Sequence, residues 1–186
     1  DSPAKIKGYE LTNYNDESYG EITLLEATRE SVNTAYVAME DAVGVDRVAN
    51  AAVRAGIPKR TPGMNLKNLD LTFVLGTASP SAVDMANAYA TFAARGERAK
   101  TTFVRRISDN NGEVLYKHEP STKRVFSKGV ADTVTYALTD VVSRGTGAAA
   151  RDLGRPAAGK TGTTDMNKSA WFVGFTPQLA TAVFLT

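Results

Sequence analysis

Lys160-Thr161-Gly162-Thr163, preceded by Gly159, sets an ammonium group, two hydroxyls and a glycine at the start of a strand pattern. Along one strand edge these groups suit an anion. The charge attracts it, the hydroxyls can bind a carboxylate, and the glycine lets another backbone approach closely. A lysine–threonine surface strand is the bland alternative, and a bare Lys-Thr-Gly tripeptide is common, so context has to decide. Other chemistries are excluded more easily. With no cysteine there is no disulfide and no thiol nucleophile, and a lone histidine, His118, rules out a His-rich metal site. A formal charge of +2, from 22 basic and 20 acidic residues, gives no electrostatic case for nucleic acid.

The elements that must position these groups follow from caps, breakers and periodicity. A chain of 186 residues, 42% hydrophobic, is compatible with one domain and a globular core. Residues 1–21 read as irregular. Thr23 with Glu26 forms a capping-box pattern, and apolar periodicity predicts one long helix to Val43, stopped by Gly44. Residues 45–56 read as a second helix, ended by Gly56 with Pro58 beyond. Residues 58–80 form a long connection of the kind that carries function or shapes a site. Ser79-Pro80 predicts the opening of a helix running to Gly96. Asp109-Asn110-Asn111-Gly112 predicts a hairpin turn between strands at 101–107 and 113–117. Ser127 can cap a helix through Val142, closed by Arg144-Gly145. A short turn at 148–152 then leads to strands at 158–163, 169–175 and 179–185, with Asn167, Lys168 and Ser169 in the turn before the second. Helices first and an antiparallel sheet last predict an α+β fold.

Both termini read as cut. The N-terminal DSPAKIKGYE has no signal-peptide core, and the last strand pattern stops without turn residues after it. No apolar run approaches the roughly 18 residues of a membrane span, so any export signal or anchor is expected outside residues 1–186.

The context of the lysine motif carries a resemblance. AGKTGTT followed by WFVGFTP is similar to the penicillin-binding transpeptidases, for which K-T-G is a signature. That family also needs S-x-N, and Ser31-Val32-Asn33 supplies it within GEITLLEATRESVNTAYVAM, which resembles the corresponding segment of the bifunctional, class A penicillin-binding proteins. NYNDESYGEITL, VLGTASPSAVDMANAYATFAARGE and VVSRGTGAAARDLGRPAAGKTGTT extend the resemblance along residues 1–186, in the family's order. It implies the serine β-lactamase and penicillin-binding transpeptidase-like fold, a helical subdomain plus an antiparallel sheet, with residues 1–186 a partial domain truncated at both ends.

Two further pattern matches are decoys. Ser108-Asp109-Asn110 matches S-D-N but enters the predicted hairpin turn, where Asp, Asn and Gly serve turn chemistry. Its Asn110 also stands only 50 residues before Lys160, whereas Ser31 stands 129 before it. Ser2-Pro3-Ala4-Lys5 matches S-x-x-K, the nucleophile motif, which needs serine and lysine one turn apart on a helical face. Gly8 soon breaks this stretch, and it offers no apolar stripe to bury. In the family such a D-S-P sequence follows the nucleophile helix, so the nucleophile is expected upstream of residue 1.

The resemblance implies an extracytoplasmic enzyme that cross-links peptidoglycan stem peptides through an acyl-serine intermediate, is a target of β-lactam antibiotics, and uses no metal or organic cofactor. Its catalytic residues here would be Ser31, which relays a proton to the leaving nitrogen, Asn33, which binds the substrate amide, and Lys160, which polarises Ser31. Thr161, Gly162 and Thr163 would bind substrate, with both hydroxyls on the terminal carboxylate and the Thr163 N–H in the oxyanion hole. A complementary N-terminal segment carrying S-x-x-K is the implied partner, and nucleic acid is not one. Ser169 stands where the family often has an acidic residue. The alternatives are a D-Ala-D-Ala carboxypeptidase or β-lactamase, and a catalytically inactive scaffold or sensor. Trp171 and Phe172 read as packing between sheet and helices, Thr146 and Gly147 as a helix terminus, and His118 as a surface residue.

Overall fold

The computed structural model of the chain describes residues 2–164 and 168–186; the Asn167 position of the predicted turn lies outside the described residues. Helices α1 (Leu24–Glu30), α2 (Asn33–Val43), α3 (Val45–Ala55), α4 (Ala82–Ala93) and α5 (Lys128–Arg144) stand before a sheet of β7 (Ala158–Thr163), β8 (Ala170–Thr176) and β9 (Leu179–Leu185), ordered β7-β8-β9 and antiparallel. Three two-stranded ribbons accompany them. These are β1 (Ala4–Ile6) with β2 (Tyr9–Leu11), β3 (Glu97–Ala99) with β6 (Thr122–Arg124), and β4 (Arg106–Ser108) with β5 (Val114–Lys117). The α+β expectation holds.

Local chemistry starts most of the helices. The Thr23, Ser81 and Ser127 hydroxyls accept the backbone N–H of Glu26, Asp84 and Val130 respectively, each satisfying an orphan donor of a first turn. The first and third of these are where the sequence places them. The α4 cap is Ser81 instead of the predicted Ser79-Pro80, because the Ser81 hydroxyl also donates to the Asp84 carboxylate at 2.6 Å and closes a reciprocal box.

The predicted single helix from Thr23 to Val43 is two helices. Ser31 adopts a left-handed conformation (φ 61°, ψ 46°) and ends α1, and Val32 begins α2 without a side-chain cap of its own. Tertiary contacts hold the break open. Val32 is buried, the Thr34 N–H donates to the Asn13 side-chain oxygen at 3.0 Å, and the Asn33 amide donates to the Thr12 carbonyl at 3.1 Å. Asn13, itself buried, thus caps α2 from another part of the chain. Within the stretch expected to be irregular, residues 4–11 form the β1–β2 ribbon, which delivers Thr12 and Asn13 to that point.

Three apolar clusters carry the packing. Ala49, Ala55, Ile57, Met64, Phe73 and Ala88 join α3 and α4 to the 58–80 connection, and Leu11, Val37 and Leu71 seat β2 against α2. The connection is also tied to α2 by the buried Glu40, whose carboxylate accepts the Val74 N–H at 3.1 Å. The third cluster, Leu138, Ala158 and Phe175, packs α5 on the sheet with Tyr89 edge-on to Phe175. Trp171 stacks within the sheet on its cross-strand partner Phe184, at 4.6 Å between centroids, while Phe172 lies over Gly159 and Gly174. His118 is half-buried and extends the β4–β5 hairpin by donating its N–H to the Arg105 carbonyl.

Candidate functional site

The break between α1 and α2 faces the edge strand β7. The Lys160 ammonium donates to the Ser31 hydroxyl at 2.7 Å and to the Thr161 carbonyl at 3.0 Å, closing a contact between residues 129 apart in sequence. The left-handed turn at Ser31 is what brings its hydroxyl to Lys160 at the end of α1. Burial lowers the Lys160 pKa to about 8, because desolvation penalises its charged form. The amine therefore sits near the point of proton exchange at neutral to mildly alkaline pH.

Alternation along β7 determines which backbone groups stay free. The Thr164 N–H donates to the Ser169 carbonyl at 3.0 Å, and Thr163 stands opposite Ala170 in register. Successive antiparallel residues turn alternately toward and away from the partner strand, so the N–H groups of Thr161 and Thr163 point to the outer edge of β7. Among the described residues no strand occupies that edge. Gly162 is exposed there, and a Cβ added to it would meet only the Trp171 Cβ, at 3.6 Å. Packing inside the chain does not demand glycine at 162, whereas close approach of a second backbone does.

Thr146, read from sequence as a helix terminus, joins the two walls. Its N–H donates to the Arg29 carbonyl at 3.3 Å, two residues before Ser31, and its hydroxyl shares a 2.8 Å hydrogen bond with the Thr161 hydroxyl. Gly145 permits this approach, since a Cβ there would stand 2.4 Å from the Arg29 carbonyl oxygen. Arg29 is anchored in turn by Glu26 and Glu30 and lies 3.8 Å from the buried Asp140 of α5. The only sequence signal for Thr146 was a hydroxyl between two glycines after a helix, a pattern shared by ordinary helix ends.

The decoys fall elsewhere. Ser108 ends the exposed strand β4, and the Asp109 carboxylate folds the turn by accepting the N–H groups of Asn111 and Glu113. The Ser2 hydroxyl accepts the Asn13 N–H at 3.0 Å, and Lys5 lies on β1, so Ser2 and Lys5 share no helical turn. Ser169 closes the β7–β8 end through its N–H to the Thr164 hydroxyl, at 2.8 Å.

Ser31 and Thr161 meet at Lys160 beside the open edge of β7, along which Gly162 and Thr163 follow; the Asn33 amide, two residues from Ser31, is on the Thr12 carbonyl.

Comparison with known proteins bears on the family and the fold. The profile of the penicillin-binding protein transpeptidase domain matches residues 1–186. Penicillin-binding protein 1A of Aquifex aeolicus (strain VF5) is 36% identical over 183 residues, which are 98% of this chain and 24% of that protein. Penicillin-binding protein 1A of Mycobacterium tuberculosis is 36% identical over 204 residues, 99% of this chain and 24% of that protein. The chain thus spans about a quarter of the curated relatives it matches. Among solved structures, PonA1 from Mycobacterium tuberculosis in complex with penicillin V superposes with a TM-score of 0.85 at 36% identity, covering 98% of this chain and 52% of that one. Penicillin-binding protein 1A from Haemophilus influenzae superposes with a TM-score of 0.89 at 23% identity, over 99% of this chain and 33% of that one, and shows the shared fold.

Proposed function

Since the chain belongs to the penicillin-binding protein transpeptidase family, we propose that residues 1–186 supply one wall of a D,D-transpeptidase site whose nucleophilic serine is contributed by a segment outside them. The observation that carries this reading is the 2.7 Å hydrogen bond from Lys160 to Ser31 beside the open edge of β7. A stem peptide ending in D-Ala-D-Ala would add along β7 as an extra strand, with its backbone passing over Gly162. Its terminal carboxylate would accept from the Thr161 and Thr163 hydroxyls, and the Asn33 amide would hold the penultimate peptide. The outward N–H of Thr163 is suited to a developing oxyanion.

Attack by the external serine forms an acyl ester and expels D-Ala. Ser31, held by Lys160, would pass a proton to the departing nitrogen, and an amine of a neighbouring stem peptide would then accept the acyl group. β-Lactams would acylate the same serine, since the ring amide imitates the scissile bond. Acting on peptidoglycan would put the site on the cell-wall face of the membrane. The exposed apolar side chains of Leu179, Val183 and Leu185 on β9 offer a seat for the complementary segment.

The test is acylation of the complete protein by a fluorescent penicillin. Thr163→Ala removes the hydroxyl given to the substrate carboxylate and keeps the backbone N–H, so it should slow acylation by roughly one to two decades, the worth of one hydrogen bond to a charged group. A rate within about threefold of wild type would remove the Thr163 hydroxyl from the site.

A further inference from the structure

An open groove of about 580 Å³ lies between the end of α3 and the β3–β6 ribbon, away from the acyl-transfer wall. Lys59, Arg60, Arg98, Lys100 and Lys123 line it, five of the chain's 22 cationic residues, against one carboxylate, Asp84. That carboxylate is already engaged by the Ser81 hydroxyl at 2.6 Å. Among the described residues none of the five cations forms an ion pair.

The ribbon itself shows what is missing. Its first cross-strand row sets Glu97 opposite Arg124, and the two close an ion pair at 2.7 Å. Its next row sets Arg98 opposite Lys123, two like charges at the spacing where cross-strand repulsion is felt. Lys100 follows Arg98 two residues on and so projects from the same face. One row of the ribbon is neutralised from within and the adjacent row is not. Arg98 is also held in place, because one guanidinium nitrogen donates to the Val53 and Arg54 carbonyls at the end of α3, at 3.0 and 3.3 Å. The partial charge of that helix end offsets at most about half of one cation.

We propose that this groove is a binding site for a phosphate-bearing anion. A single carboxylate carries one charge and would settle one lysine. A phosphate group carries more charge on a compact set of acceptor oxygens, and can lie between Arg98 and Lys123 while Lys100 closes on it. The volume is that of a small-molecule site. The phosphate could belong to a free solute or to a lipid headgroup, which share this chemistry.

Inorganic pyrophosphate, titrated by calorimetry into the complete protein, is the first probe, and co-sedimentation with phosphatidylglycerol vesicles is the second. The Lys100→Gln/Lys123→Gln double variant should bind the recognised probe at least about tenfold more weakly, because two of the converging charges are gone. Saturation by pyrophosphate alone assigns the site to a soluble phosphate, and vesicle binding lost in the variant assigns it to a headgroup. A single substitution separates a ligand site from a merely solvated surface. Lys123→Glu repeats the Glu97–Arg124 arrangement on the second row, so it should raise the Tm by about 1–3 °C while abolishing binding. Acylation by fluorescent penicillin should stay at the wild-type rate in both variants, so that failure here and failure of the transpeptidase reading are distinguishable. The proposal is overturned if neither probe binds, if the double variant binds as well as wild type, or if Lys123→Glu lowers the Tm.

Discussion

Replacing Lys160 should slow acylation and stabilise the fold at the same time. The ammonium makes a 2.7 Å bond to Ser31, and burial holds its pKa at about 8 instead of the ordinary 10.5. In Lys160→Met the Ser31 hydroxyl loses its charged donor, and acylation should fall by roughly two to three decades. The stability effect runs the other way. Burial penalises the charged amine, so below about pH 8 the folded state carries a cost of about 3 kcal/mol at most, given 1.36 kcal/mol per pKa unit. Between about pH 8 and 10.5 the folded protein sheds this proton before the unfolded chain does, so stability from this group rises with pH and the cost disappears. Lys160→Met should therefore be more stable than wild type near neutral pH by about 1–3 kcal/mol, and the advantage should vanish above about pH 10. The acylation rate of the wild type should fall as pH passes through about 8, since the charged form polarises Ser31. Lys160→Arg, which cannot lose its charge, should lack that limb. The assay is the second-order rate of fluorescent-penicillin labelling of the complete protein across this range, with thermal unfolding of the same samples. A wild-type profile flat through that range, or a Lys160→Met variant labelled at the wild-type rate, would refute the role given to the ammonium.

Ser108→Ala should leave penicillin acylation unchanged, as Ser108 sits at an exposed hairpin turn; a large loss with folding intact would show that the wrong S-x-N was chosen. Gly145→Ala should weaken both stability and acylation, because its Cβ would overlap the Arg29 carbonyl at 2.4 Å and push α1 from β7, and a variant matching wild type in both would contradict the close packing at Thr146. The isolated chain of 186 residues should take up no penicillin, since its one S-x-x-K stands on extended backbone with the Ser2 hydroxyl engaged by Asn13. Intact-mass spectrometry showing a stoichiometric adduct on any of these residues would sink the external-nucleophile reading.

Much of the secondary structure was legible because its causes are local. A hydroxyl at Thr23 or Ser127 reaches the N–H three residues on, and Asp109 folds its own turn, whatever the rest of the chain does. The sheet strands were likewise readable, at 158–163 and 179–185 as predicted and at 170–176 one residue beyond the predicted 169–175. The β3–β6 ribbon was not, because its central partners, Arg98 and Lys123, are 25 residues apart and each strand has three residues. The break at Ser31 was also hidden. Nothing in GEITLLEATRESVNTAYVAM interrupts the helical period, and the break after Ser31 is held by Asn13 and Thr12, which accept from the Thr34 N–H and the Asn33 amide.

For the site, the residue types alone determined which groups are available: a lysine, hydroxyls on a β-strand, an amide at Asn33, and no thiol. Those are properties of side chains and survive any fold. Whether they act together was decided only by the tertiary structure. The Lys160–Ser31 contact closes a loop of 129 residues, an entropic cost that packing of α1, α5 and β7 offsets collectively and no short segment encodes. The lowered pKa of Lys160 is a property of its burial, and burial exists only once the walls have met.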